Sequence, residues 1–295
     1  MKGHSRRELL TGLAFISPWI IGFSVFMAYP IAMSGYYSFC DYNVLTRPVW
    51  IGARNYIDLV RHDPLFWTSL ENTFYYAALA LPFGMILALA LALLLNAKVR
   101  GMTIYRTIFF VPSLVPAVAL GILWLWIFNG DYGLLNEFLK FCHVPQPQWL
   151  SDPTWSKPAL VLTGLWTVGN AMVIYLAGLQ DVPQTLYEAA ELDGAGWWGK
   201  TWHVTLPMLS PVILFNLIMG IIGTLQIFTL PYVMFPGGSP VHSTYFYTMY
   251  LYDNAFVYLK MGYACAMGWI MFFMILGLTM LAVRLSSRRV YYGGS

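Results

Sequence analysis

GAGWWGKT, residues 194–201, satisfies G-x-x-x-x-G-K-[ST] letter for letter, with Gly194, Gly199, Lys200 and Thr201 on the required positions. That pattern is the phosphate-cradling P-loop. Two folds hang on its reading. As a P-loop it demands a soluble α/β domain with a hydrophobic β-strand before the first glycine. As a turn between helices it demands no sheet at all. The residues before it, TLYEAAELD (185–193), are polar and helix-forming. Trp197 and Trp198 stand where backbone N–H groups would have to wrap phosphate. The P-loop reading is therefore disfavoured, and Lys200 reads as a surface or headgroup-level charge.

The composition around the stretch decides the solvent. The chain has 295 residues, 59% of them hydrophobic and 10% charged, with a mean hydropathy of +0.62. A soluble domain carries roughly 25% charged residues, so this chain cannot clothe a surface in water. Its solvent is lipid. The net charge of +3 gives no sign of nucleic-acid binding. Five scattered histidines lack metal-ligand spacing, and three cysteines do not make a disulfide framework. Cys40 and Cys142 fall on the same side of the membrane in the topology below, where a bridge or two free thiols are both open.

Charge-free apolar stretches lie at about 13–35, 74–95, 108–128, 159–180, 211–235 and 263–283. Each supplies the roughly 20 residues a spanning helix needs. A charged residue at a helix centre costs about 2.5–3.5 kcal/mol, while a Leu returns only about 0.3–0.6. The six stretches contain none. This predicts an all-α integral membrane protein, a single transmembrane domain over 1–295. Lys2, Arg6 and Arg7 precede the first span, Lys98, Arg100 and Arg106 follow the second, and Arg284, Arg288 and Arg289 follow the sixth. The positive-inside rule then puts both termini in the cytoplasm. The first span lacks a small-residue cleavage site and reads as retained. In the first outer loop, 36–73, NYIDLVRHDPLFWTSL (55–70) predicts short interfacial helices.

The loop 181–207 is then cytoplasmic although acidic, against the trend of the other inner loops. Thr185 and Glu188 fit a capping box. Glu188-Ala-Ala-Glu191 favours helix. Gly194 and Gly196 end that helix and turn the chain. Residues 198–204 can make a second short helix, which gives way to the fifth span at Pro207. Ala189 and Ala190 leave a smooth face for close approach, and Glu188 offers a charge to a basic partner.

EAAELDGAGWWGKTWHVTLP (188–207) resembles the EAA loop of binding-protein-dependent ABC importer permeases, E-A-A-x-x-x-G-x(9)-I-x-L-P. Glu188, Ala189, Ala190, Gly194, Leu206 and Pro207 match, while Val204 replaces the usual Ile. Asp193, Gly194 and Ala195 complete the EAA-x-x-DGA run typical of sugar-importer permeases. SPWIIGFSVFMAYP (17–30), GARNYIDL (52–59), ALLLN (92–96), YRTIFFVPSLVP (105–116) and WLSDP (149–153) look like the maltose/glycerol-phosphate-type permeases. FPGGSPVHST (235–244) is similar to that group's GGP-x-x-x-T, with Ser239 inserted before Pro240.

The resemblance implies a type I ABC importer permease fold with six spans in the cytoplasmic (inner) membrane of a bacterium or archaeon. It implies a non-catalytic subunit that binds no cofactor itself. Two partner ATPase subunits would hold ATP and Mg. A second homologous permease would complete the pathway, and an extracytoplasmic solute-binding protein would deliver cargo. Glu188, Ala189, Ala190, Asp193, Gly194, Leu206 and Pro207 would couple to the ATPase. The implied cargo is a sugar or oligosaccharide, with a polyol or glycerol phosphate as the alternative.

Charge-free spans argue against a proton or sodium relay, and hence against a secondary transporter. They suit a neutral, hydroxyl-rich cargo. Trp166 and Asn170, at i,i+4 in the fourth span, and Asn216 and Gln226 in the fifth, are candidate pathway residues. Each could equally bond helix to helix.

Overall fold

The computed structural model describes residues 6–97 and 99–286. Lys2, Lys98, Arg288 and Arg289 of the orientation argument lie outside the described residues. Most of the described residues are helical. Four helices are long and apolar enough to cross a membrane: Leu10–Tyr37, Pro64–Leu95, Ser210–Met234 and Met261–Ser286. Two bent pairs, Met102–Leu114 with Ala117–Ile127 and Pro153–Trp166 with Gly169–Gln180, raise the number to six if each pair forms one span.

The bends correct two expectations. Stretch 108–128 is not one straight helix, because it breaks by 98° between Leu114 and Ala117. Pro116 drives the break: Val115 before it is extended (φ −70°, ψ 127°), since proline's ring pushes its predecessor out of the α region. Stretch 159–180 bends by 45° at Thr167 and Val168. There Thr167 closes a tight turn onto the Gly164 carbonyl with both its backbone N–H (3.1 Å) and its hydroxyl (2.9 Å). The helices also outrun the charge-free stretches, so Glu71, Arg106 and Lys157 lie inside helices.

Two long helices absorb a proline by widening one turn. π-turns over Ser24–Ala28 and Thr201–Thr205 each end two residues before a proline, Pro30 and Pro207. Proline lacks the N–H that would close an α turn and crowds the carbonyl behind it, and a wider turn accommodates both.

The chain packs as two compact units. One holds the described residues through Asp63 together with Leu251–Phe272. In it, Cys40–Asp41 pairs antiparallel with Val49–Trp50. Asn55 of the helix Arg54–Arg61 donates to the Ser38 and Cys40 carbonyls at 2.9 and 3.0 Å. Only the first half of 55–70 forms the expected short helix. Pro64 opens the long helix instead, since proline suits a first helical turn. Cys40, Cys142 and Cys265 are free thiols.

The other unit holds Pro64–Tyr250 and the described residues from Phe273 on. Its core lies where Pro64–Leu95 meets Gly169–Gln180: Ala88, Ala92 and Leu95 pack on Met172, Tyr175, Leu176, Leu179 and Leu209. Small residues bring these backbones close, as helix pairs in lipid require. A Cβ on Gly178 would lie 2.8 Å from Val212 and 2.9 Å from Leu209. The loop of FPGGSPVHST is also anchored here. Its Ser239–Pro240 peptide is cis. Buried Asn72 donates to the His242 and Tyr245 carbonyls (2.8 and 3.2 Å) and accepts from Lys157 Nζ (3.0 Å).

Candidate functional site

The 181–207 loop folds as two helical arms about a glycine turn. The short arm is Gln184–Leu192. Its N-cap is Pro183, with no side-chain cap, so Thr185 already lies inside the helix and the expected capping box does not form. Pro183 sets an extended entry (φ −58°, ψ 129°), and that replaces the hydroxyl cap.

The C-terminal end is closed by backbone alone. The Gly194 N–H donates to the Glu191 carbonyl (3.0 Å) and the Ala195 N–H to the Ala190 carbonyl (2.9 Å). These are the paired bonds of a Schellman motif, which needs a left-handed residue at Gly194's position. Gly194 has φ +78°. The glycine of the pattern is thus a helix stop.

The long arm starts at Trp197, capped by extended Gly196 (φ −70°, ψ −178°). Here the expectation of a second short helix ending at Pro207 is corrected. The arm runs through the π-turn and Leu206–Met208 into Ser210–Leu225. Hydrogen bonds from Leu209 to Thr205 and from Ile213 to Leu209, both 2.9 Å, carry the ladder past Pro207. The π-turn lets the helix continue where a regular α turn would have broken. Thr201, Thr205 and Leu209 are buried, while Trp198 and Trp202 are exposed on another side.

No residue of the short arm is buried. Glu188 and Ala189 are exposed, Ala190 is half-buried, and Leu192 is 90% exposed. Lys200, read from the sequence as a surface or headgroup-level charge, is engaged in an ion pair. Its Nζ reaches Glu191 Oε1 at 2.7 Å, across the turn. The Tyr187 hydroxyl meets the Thr205 hydroxyl at 3.1 Å. A P-loop's strand–loop–helix geometry is absent from GAGWWGKT: a helix precedes it, Gly199 lies in a second helix, and the lysine is engaged by a carboxylate.

The four pathway candidates are not brought together as one set. Trp166 ends one helix and Asn170 lies in the first turn of the next, so the bend separates them and the i,i+4 face does not exist. Both are exposed, and Trp166 meets Trp124 edge-on at 6.0 Å. Asn216 is 7% exposed and donates to the Val212 carbonyl of its own helix (3.0 Å). Gln226 is exposed at the break between Ser210–Leu225 and Thr229–Met234.

Sequence reasoning missed Trp124, whose buried indole N–H has no hydrogen-bond partner among the described residues. It also missed Asn72 with Lys157. No local pattern marks either: Trp124's edge-on neighbour Trp166 and Asn72's partner Lys157 both lie tens of residues away in the chain.

The family described as "binding-protein-dependent transport system inner membrane component" matches residues 80–291. A probable ABC transporter permease protein of Bacillus subtilis, YesP, is 39% identical over 290 residues, covering 97% of this chain and 94% of that protein. The lactose transport system permease protein LacF of Rhizobium radiobacter is 35% identical over 278 residues, 92% of each chain. The fold is shared with the crystal structure of a bacterial ABC transporter that imports alginate (TM-score 0.83, 24% identity, 96% of both chains). It is shared as well with a bacterial alginate ABC transporter in complex with a pentasaccharide-bound periplasmic protein (TM-score 0.82, 23% identity, 96% of both chains). This chain belongs to the inner-membrane components of binding-protein-dependent transport systems, the permease subunits of ABC transporters.

Proposed function

We propose that this permease forms half of the pathway of an ATP-driven importer for a sugar or oligosaccharide. It couples to a separate ATPase through the 184–207 arms. In this reading it crosses the inner membrane six times with both termini in the cytoplasm. A second permease, two ATPase subunits and a solute-binding protein complete the assembly, and ATP with Mg resides in the ATPases. The lactose-transporting relative and the alginate importers supply the cargo class by analogy.

One observation carries the coupling role. The short arm is a fully stopped helix with no buried residue, joined by a glycine turn to a helical arm that leads through Leu209 into an apolar span. The exposed side of that helix, with Glu188 and Ala189, is available to a partner. Glu188 would meet a basic residue of the ATPase, Ala189 and Ala190 would admit its surface, and Asp193 and Gly194 would end the contact. Leu206 and Pro207 would carry movement into the span.

The test is Glu188→Lys in the assembled transporter. Loss of ATPase co-purification, or ATP hydrolysis that no longer drives uptake, is the expected result, with the permease still folded in the membrane. Normal uptake and normal co-purification would remove the docking role.

A further inference from the structure

We infer that Glu191–Lys200 and Tyr187–Thr205 form a two-point brace that fixes the angle between the arms, so that movement of the short arm is transmitted to the membrane helix. This rests on the coupling reading above and names the residues that make it mechanical.

Packing between the arms is thin. No residue of the short arm is fully buried, with Tyr187 and Ala190 half-buried, and a cavity of about 280 Å³, lined by polar Asn96, Lys200 and Thr205 and by apolar Leu93 and Leu179, borders Tyr187. The covalent link runs through Gly194 and Gly196, the most permissive residues for backbone rotation. Two backbone hydrogen bonds close the turn, but they fix the end of the short arm and not its angle to the long one. Two side-chain ties cross the gap instead, at 2.7 and 3.1 Å.

The spacing of the ties is matched on both arms. Tyr187 and Glu191 are i,i+4 on the short arm, neighbours on one helix face. Lys200 and Thr205 are five apart, which in a regular α-helix would separate them by about 140° around the axis. The π-turn over Thr201–Thr205 widens the spiral between them, and the Thr205 hydroxyl also donates to the Lys200 carbonyl at 3.3 Å. The same wide turn that accommodates Pro207 therefore aligns the second pair of contacts with the first. One tie alone would leave the arms free to swivel about it. Two ties a turn apart remove that freedom.

The experiment uses the assembled transporter in proteoliposomes with its binding protein, reading uptake per ATP hydrolysed. Lys200→Gln and Glu191→Gln should each lower that ratio about two- to five-fold, the equilibrium change expected for an exposed ion pair. ATP hydrolysis and ATPase co-purification should stay near the parent level. Tyr187→Phe on top of Lys200→Gln should lower the ratio further. The swapped pair, Glu191→Lys with Lys200→Glu, should recover it, which a loss of local folding would not.

A parental ratio in the single variants would overturn the brace. So would singles that fall and a swap that fails to recover. Loss of ATPase association in Lys200→Gln would overturn it too, by placing the pair in the docking surface. Failure of docking itself is read separately by Glu188→Lys.

Discussion

Replacing Gly194 with alanine isolates backbone strain at the turn between the arms. Gly194 sits at φ +78°, and a Cβ there would meet nothing within 4 Å. No clash contributes, so the cost is that of holding an L-residue in the left-handed region, about 1–2 kcal/mol. If the ATPase binds only the turned loop, that cost appears as about 5- to 30-fold weaker binding, at tenfold per about 1.4 kcal/mol. Titrating labelled ATPase onto the permease in nanodiscs measures it. Gly194→Asn should recover part of the loss, because Asn visits the left-handed region more readily. Gly196→Ala, at φ −70°, should cost less than about 1 kcal/mol, through the weaker N-cap preference alone. Parental affinity in Gly194→Ala, or a Gly194→Asn variant no better than it, refutes the reasoning.

Two further substitutions test how the second unit is held. Asn72→Leu removes two donations to the 236–246 loop and the acceptor of Lys157 Nζ. Their combined loss should destabilise by about 3–5 kcal/mol, read as a lower melting temperature in detergent and faster proteolysis within that loop. Gly169→Ala would bring a Cβ to 2.8 Å from the Phe109 carbonyl and 3.0 Å from Phe110 Cα, both backbone atoms. The expected overpacking cost is about 1–3 kcal/mol, and an unchanged melting temperature would show that the bend yields without cost.

What could be read in advance was what local chemistry decides. The absence of charge from six stretches sets the solvent of the chain. The order EAA, DG, LP sets a helix, a stop and an exit, and Gly194 takes the left-handed conformation its place in that order requires. The misreadings have two sources. Some signals were present but outweighed: Pro112 and Pro116 sit inside 108–128, yet apolar length dominated the reading. Pro183 likewise begins a helix that Thr185 seemed placed to cap. Others were never local. Lys200 finds Glu191 nine residues back because the turn folds it there, and Lys157 finds Asn72 eighty-five residues back. The pairing of Trp166 with Asn170 failed because it assumed an uninterrupted helix across Thr167 and Val168.

The 98° break bears on how the chain is made. Met102–Leu114 and Ala117–Ile127 are about 20 and 16 Å long, and the hydrocarbon layer is about 30 Å thick, so neither half crosses it alone. Irregular backbone at that depth is tolerated only under the cover of protein. Part of the cover comes from Gly169, whose bare α-carbon lets the helix behind it approach Phe109, Phe110 and Ser113. That helix leaves the ribosome some fifty residues later. Nascent chains ending near residue 130 should therefore hold this segment less firmly in the bilayer than chains ending beyond 180, and stable integration becomes a cooperative, post-insertion event.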